Sequence, residues 1–157
     1  MSPISVRCPG AVAVRYLEPR DLPEILRIAE EIPAAHYGRE DFYRDLGSSD
    51  LSAWVAEADN RVIGFVVCRV QPQRDGAVRM ELLHLAVTPD YRRRGIGRSL
   101  LKRFDDRLRP GDGIQATVPE ASLDVQMFLR SFDYKAVRVL RGHFDGTDAY
   151  VMERRQA

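Results

Sequence analysis

Residues 80–104 read MELLHLAVTPDYRRRGIGRSLLKRF, and this stretch decides how the rest of the chain is arranged. Its first eight residues are almost all apolar, which is typical of a strand covered on both faces. Thr88-Pro89-Asp90 ends that strand, because proline cannot donate to a ladder and aspartate favours turns. Apolar residues then recur at helical spacing, at Ile96, Leu100, Leu101, Phe104 and Leu108. The stretch therefore predicts a strand, a tight turn and a helix.

The start of this helix carries residues that oppose its local stability. Four arginines crowd the positive end of the helix dipole, where cations are disfavoured: Arg92, Arg93, Arg94 and Arg98. Gly95 and Gly97 each cost roughly 0.5–1 kcal/mol relative to alanine inside a helix. A bound anion resolves the conflict, because free N–H groups and guanidinium groups converge on it and glycine lets it approach the backbone. The alternative is a solvated basic turn.

Other phosphate-binding loops fit this turn less well. A Walker loop requires G-x-x-x-x-G-K-[ST], which the chain does not contain. The dinucleotide fingerprint G-x-G-x-x-G fails at its third glycine, where Leu100 stands. The pattern R-x-x-G-x-G does match, read as Arg92, Gly95 and Gly97 after a strand that ends Leu85-Ala86-Val87. On these residues the chain resembles the GNAT acetyltransferase superfamily, and the order of elements resembles it over residues 11–155.

The composition excludes several classes of protein. Of the 157 residues, 45% are hydrophobic and 30% are charged, which is usual for one soluble globular domain. The formal net charge is +1, so no overall basic field argues for nucleic-acid or membrane binding. Cys8 and Cys68 are too few for a metal cluster or a disulfide framework. No signal sequence and no apolar run of membrane-spanning length are present, so we expect a cytoplasmic location.

Periodicity predicts an α/β domain with a mixed sheet and the order β-α-α-β-β-β-α-β-α-β-β. Residues 1–10 read as a loose leader before this domain. The predicted strands are 11–17, 52–58, 61–70, 80–87, 114–118, 134–141 and 149–153. The predicted helices begin near residues 21, 40, 96 and 122.

Short signals mark the joints between these elements. Asp21 and Ser122 are placed to cap the first and last helices. Asp59-Asn60 and Asp145-Gly146 predict hairpin turns. Gly64 interrupts an apolar strand, which predicts a bulge or a close backbone approach.

The resemblance implies the strand pairing and the cofactor. In the GNAT fold a mixed, mostly antiparallel sheet carries helices on both faces, and the central strand splays away from the strand that follows it. The implied cofactor is acetyl-CoA (coenzyme A), which lies in that cleft. The cofactor contacts implied are Leu85, Ala86, Val87, Arg92, Arg93, Arg94, Gly95, Ile96, Gly97, Arg98 and Ser122.

Acetyl transfer to an amine needs a group that accepts a proton at neutral pH. Glu81 begins the apolar central strand, where burial would raise the pKa of a carboxyl, and several family members hold a glutamate there. The alternatives are an exposed strand-end residue or an ion pair with Arg79. His84 is the second candidate base, with an unperturbed pKa near ~6.5, against the reading of a hydrogen-bonded core histidine.

The chain departs from the bacterial ribosomal-protein alanine N-acetyltransferase-like members at three positions. The family's base on the next strand falls at Thr117, its tyrosine acid falls at Leu129, and its coenzyme-contacting asparagine falls at Ser122. No general acid is therefore evident, and three residues of the C-terminal strands are the remaining candidates: Tyr134, His143 and Tyr150.

The predicted function is acetyl-CoA-dependent N-acetylation of a primary amine, of a peptide or protein, at an N-terminus or a lysine. Two alternatives stay open, which are a small-molecule amine as acceptor and a coenzyme A-binding module without turnover. Nucleic-acid binding through the arginines is disfavoured, because interleaved aromatic residues and a broad basic face are missing. No metal site and no membrane contact are expected.

Overall fold

The computed structural model describes residues 11–31, 47–144 and 146–156, and the predicted order of elements is confirmed within them. The strands are β1 (Ala13–Tyr16), β2 (Leu51–Ala58), β3 (Arg61–Pro72), β4 (Val78–Val87), β5 (Gly113–Pro119), β6 (Lys135–Phe144) and β7 (Thr147–Arg155). The helices are α1 (Leu22–Glu30), α2 (Ile96–Asp105) and α3 (Leu123–Arg130). The predicted leader, the predicted helix near residue 40 and Asp145 lie outside the described residues.

The seven strands form one sheet in the order β1-β2-β3-β4-β5-β7-β6. Every neighbouring pair is antiparallel except β4 and β5, which run parallel. The sheet is thus mixed and mostly antiparallel, as the resemblance implied. Asp59 and Asn60 both have positive φ, 50° and 61°, which fits the type I′ turn that suits a two-residue hairpin.

The helices cover the two faces of the sheet. Helices α2 and α3 pack on one face, called here the α2 face, through Leu100, Leu101, Phe104 and Leu129. Helix α1 packs on the other face, the α1 face, where Ile25 and Ile28 meet Val55, Phe65 and Val67. None of the helices described here combines the length and apolar character that a membrane crossing requires.

The two predicted helix caps are correct in position and wrong in chemistry. Asp21 precedes α1, but its carboxylate makes no capping bond to the helix. It accepts instead from both terminal nitrogens of Arg15, at 2.8 and 2.9 Å, and from the backbone N–H of Glu18 at 2.8 Å. Ser122 precedes α3 and likewise makes no side-chain cap. At the start of α1 an ion pair with Arg15 takes the place of the predicted capping bond.

Two irregularities of the central strands position the site. Gly64 lies so close to β4 that a Cβ there would stand 2.8 Å from the carbonyl oxygen of Ala86, so the predicted close approach is confirmed. In β4 the register passes from Val67↔His84 to Cys68↔Leu82, which leaves Leu83 as an extra, bulged residue. A bulge reverses the faces of all residues beyond it relative to strict alternation.

Candidate active site

Strands β4 and β5 separate halfway along their length. They pair over only four rows, from Arg79↔Gly113 to Leu82↔Ala116. Strand β4 nevertheless continues its pairing with β3 as far as Val87. The result is a V-shaped opening, called here the split, between residues 83–87 of β4 and residues 117–119 of β5. The splay implied by the resemblance is therefore present.

One buried carboxylate pins the start of the β4–β5 ladder, at the end remote from the split. Asp112 accepts the backbone N–H of Val78, the first residue of β4, at 2.8 Å and that of Arg109 at 2.8 Å. These backbone hydrogen bonds lower the pKa of the Asp112 carboxyl. The segment 109–113 is a plain chain break by composition, and local pattern carries no signal for a contact that joins residues 34 positions apart.

Each open arm of the split is held by a side chain of its own. The Nε2 atom of Gln126, a buried residue of α3, donates to the carbonyl oxygens of Pro119 at 3.0 Å and Glu120 at 2.9 Å. On the other arm, Nε of Arg92 donates to the carbonyl oxygen of Val87 at 3.0 Å. The sequence did not indicate this role of Gln126, because a lone glutamine in an amphipathic helix is typical of an exposed position.

Backbone groups at the end of β4 divide between its two neighbours. The N–H of Thr88 donates to Ile63 of β3 at 2.8 Å. By alternation the backbone groups of Ala86 also point to β3, whereas those of Leu85 and Val87 point into the split. Arg92 occupies the Val87 carbonyl. The groups that remain to face the split are therefore the N–H donors of Leu85 and Val87 and the carbonyl of Leu85. Ala86 therefore lines the split without offering it a backbone hydrogen bond.

The turn after β4 has the form of an anion-binding nest. Arg93 and Gly95 both have left-handed backbones, with φ of 63° and 77°. The first helical bond at the boundary runs from Ser99 N–H to the Gly95 carbonyl at 3.0 Å. The amides of residues 96–98 precede that bond and so have no partner inside the helix. A left-handed residue beside such amides creates a concavity lined with N–H donors, and arginine in this conformation is strained by about 1–2 kcal/mol.

The arginines of this turn keep their positive charge available. Arg94 lies over the Tyr91 ring at 5.1 Å, and Arg98 lies over the Phe132 ring at 4.5 Å. Across the described ranges no carboxylate pairs with Arg92, Arg93, Arg94 or Arg98. Free amides and unneutralised guanidinium groups fit the diphosphate of coenzyme A.

Two further residues of the implied cofactor site make contacts that support the fold. A Cβ at Gly97 would lie 3.3 Å from the Phe128 ring, so this glycine also permits the contact between α2 and α3. Ser122 follows the end of β5, where its N–H donates to Pro119 at 3.0 Å. It therefore lies just beyond the β5 arm of the split.

The two candidate bases share the α1 face. Strict alternation would place Glu81 and His84 on opposite faces, but the bulge at Leu83 brings both to one side. The Glu81 carboxylate lies 3.8 Å from Arg69, directly across on β3, and 3.4 Å from the Gln71 amide. Its partner is thus Arg69 rather than Arg79, and its side chain is 30% exposed rather than fully buried.

His84 occupies a drier place beside the split. Its ring faces that of Phe65 with centroids 6.3 Å apart. Burial lowers the pKa of His84 to about 4, so the imidazole is neutral at physiological pH. A group with so low a pKa is a weak proton acceptor for an alkylammonium ion, and its burial leaves the partly exposed Glu81 carboxylate better placed to pass a proton on to solvent.

The remaining acid–base candidates scatter over the fold. Tyr134 is 1% exposed within the core of the α2 face, and burial raises the pKa of its hydroxyl further. Tyr150 packs against the same core, and His143 is exposed on β6. Leu129 is a core residue. Thr117 is the exception, since it lies half-buried on the α1 face of β5, directly beyond the point where β4 departs.

A family model described as "Acetyltransferase (GNAT) family" matches residues 20–132. The chain belongs to this family. Membership makes it an N-acetyltransferase, and the acyl donor of the family is acetyl-CoA. The resemblance stated from the arginine–glycine turn is confirmed.

Individual relatives agree with this assignment. An N-alpha-acetyltransferase of Saccharolobus solfataricus is 28% identical over 145 residues, covering 85% of this chain and 87% of the relative. A [Ribosomal protein bS18]-alanine N-acetyltransferase of Salmonella typhimurium is 32% identical over 95 residues, 60% of each chain. The solved structure of Arabidopsis thaliana Naa50 with a bisubstrate analogue superposes with a TM-score of 0.80 at 20% identity, covering 92% of this chain and 99% of Naa50. That last likeness establishes the fold.

Proposed function

We propose that this chain acetylates the α-amino group at the N-terminus of a peptide or protein. The observation that supports amine chemistry at this place is the location of Glu81 and His84 together on the α1 face, where β4 and β5 separate. The names of the relatives, N-alpha-acetyltransferase and alanine N-acetyltransferase, support the same class of acceptor.

The chain's own groups divide the work of binding and proton transfer. Acetyl-CoA, when bound, supplies an acyl thioester with an electrophilic carbonyl carbon. The turn from Arg92 to Arg98 would hold its diphosphate, and Leu85 and Val87 would bond its extended arm through the backbone. Their N–H groups would also stabilise negative charge on a carbonyl oxygen beside the split.

Glu81 takes the proton of the incoming ammonium in this proposal. It lies one row before the last paired row of β4 and β5, so one bridging water would connect it to an amine at the apex of the split. Arg69 and Gln71 keep the carboxylate oriented. His84 remains neutral and packs beside the apex of the split, where it orders the acceptor.

Thiol release with acetyl-CoA and three acceptors tests the proposal. The acceptors are a peptide with a free N-terminus, the same peptide with its N-terminus blocked and one internal lysine, and a small polyamine. We expect turnover on the first peptide and little on the others. Turnover on the polyamine alone would replace the proposal with a small-molecule acetyltransferase, and release of thiol with none of them would overturn it.

A further inference from the structure

The α1 face of the sheet continues beyond the split, over β5, β7 and β6. The register aligns residues of these three strands in transverse rows. One row holds Thr117 of β5, Val151 of β7 and Arg138 of β6. Because the β4–β5 ladder ends at Leu82↔Ala116, this is the first row past the apex of the split.

A second bulge explains why an arginine stands in that row. Strand β6 passes from Ala136↔Met152 to Arg138↔Val151, so Val137 is the extra residue. Met152 belongs to the core of the α2 face. Without the bulge Val137 would oppose Val151 and Arg138 would point to the α2 face, whereas the bulge directs Arg138 to the α1 face.

The guanidinium of Arg138 is exposed and has no ion pair or hydrogen bond to any residue that the structure describes. Its neighbour on the same strand, Arg141, behaves differently and pairs with Asp148 at 3.3 Å. Arg69, on the same face as Arg138, pairs with Glu81 and with Asp50 at 3.5 Å. An unneutralised cation directed by a bulge towards one face suits an anionic group that arrives from outside.

We propose that Arg138 selects the acceptor by pairing with an aspartate or glutamate at its second or third residue. The proposal rests on peptide N-acetylation as the function of the site. Strands lie about 4.8 Å apart, so Arg138 stands about 10 Å from Thr117 across β7. An extended peptide advances about 3.4 Å per residue, so a chain whose amine lies at the split reaches β6 with its second or third side chain.

An edge strand also carries charges for another reason, because they discourage pairing with a second copy of the chain. The two roles differ in what they predict for substrates. A protective charge leaves the preference among peptides untouched, and any charged residue serves that purpose. A residue that contacts the acceptor makes the preference follow the sign of its own charge.

The test uses peptides that differ only in carrying Glu, Gln or Lys at positions two and three. For the unmodified protein we expect kcat/KM to be roughly five- to tenfold higher with Glu than with Gln, chiefly through KM. Arg138→Gln should abolish this difference, and Arg138→Glu should reverse it in favour of Lys. Peptide titration into the protein–coenzyme A complex should show the same order in Kd.

Arg130→Glu supplies the matched control, because it makes the same change in net charge at an exposed position of α3, on the opposite face. Its peptide preference should equal that of the unmodified protein. Equal kcat/KM for the three peptides, or a preference that Arg138→Glu does not reverse, overturns the role of Arg138 while leaving N-terminal acetylation intact. No turnover on any peptide overturns both proposals together.

Discussion

The two edges of strand β4 are paired to different extents. Towards β3 the strand is paired along its whole length, from Val78↔Pro72 to Val87↔Gly64, and the backbones meet closely at Gly64. Towards β5 it is paired over four rows and then released. The first side gives the strand a fixed position, and the second leaves backbone donors free at a defined place. A rigid strand with one unsatisfied edge is a way to present hydrogen bonds to a ligand without mobile loops.

The contrast is maintained by three side chains. Asp112 holds the start of the β4–β5 ladder, and Arg92 and Gln126 each hold one open arm of the split. Each of them bonds to backbone rather than to another side chain. The width of the opening is thus determined by contacts between side chains and backbone that acetyl transfer leaves chemically unchanged.

The substitution with the largest expected effect removes the proposed proton acceptor, at the point where β4 ceases to pair with β5. Glu81→Gln removes the proposed base, so kcat should fall by about 100-fold near pH 7, with a smaller loss at high pH where free amine is abundant. A pH–rate profile for the variant measures this. Glu120→Gln, at an exposed position, is the control. An unchanged profile for Glu81→Gln would transfer the role to His84 or to a water chain.

The next effect concerns binding at the released side. Arg94→Glu places a negative charge in the turn that receives the diphosphate, and Kd for acetyl-CoA should rise roughly tenfold to 100-fold. Isothermal titration measures it. Arg74→Glu makes the same charge change on the exposed β3–β4 loop, at the far end of β4, and should leave Kd unaltered. If both variants bind equally well, the turn does not hold the coenzyme.

A smaller effect concerns stability, through His84 beside the split. The folded pKa is about 4, below the unfolded value near 6.5. As pH falls through this window the unfolded state takes up a proton that the folded state refuses, so the free energy of unfolding decreases. From pH 7 to pH 4.5 the loss attributable to this group should be roughly 2 kcal/mol.

Urea unfolding at the two pH values measures that loss. The variant His84→Gln should lose less stability on acidification than the unmodified protein. His143→Gln, on the exposed strand β6, should retain the full decrease. Identical losses in all three proteins would show that His84 titrates normally.

The smallest effect separates two adjacent arginines. Arg93→Gly relieves left-handed strain and adds freedom to the unfolded chain, so the free energy of unfolding should change by less than about 1 kcal/mol. Arg92→Gly should destabilise more, since it frees the Val87 carbonyl. Thermal unfolding of the two variants compares them directly. Equal destabilisation would mean that Arg92 does not hold the arm of β4.

Local pattern was sufficient for the turn and for the order of those elements that the structure describes. The 3.6-residue stripe predicted a helix from Ile96, and α2 begins there. The arginines and glycines before it conflict with helix preferences, and such a conflict is visible without knowledge of the fold. The splay itself came from the resemblance, because periodicity does not say which strands pair.

The sequence could not predict which residues share a face. Glu81 and His84 come together only because Leu83 is bulged, and Arg138 joins the row of Thr117 only because Val137 is bulged. A bulge is decided by the register of two strands distant in sequence, so alternation within one strand misplaces the residues beyond it. The same cause hid Arg69 as the partner of Glu81. Arg15 reaches Asp21 across a turn of six residues, which the alternation of a strand does not describe.

The alternation of backbone direction at the end of β4 has a consequence for hydrogen exchange. Neighbouring amides of one strand should exchange with solvent deuterium at different rates, with Ala86 slow and Leu85 and Val87 fast in the free protein. A ligand in the split would slow exchange at Leu85 and Val87 and leave the exchange rate of Ala86 unchanged. Three consecutive amides thus report occupancy and carry their own internal reference.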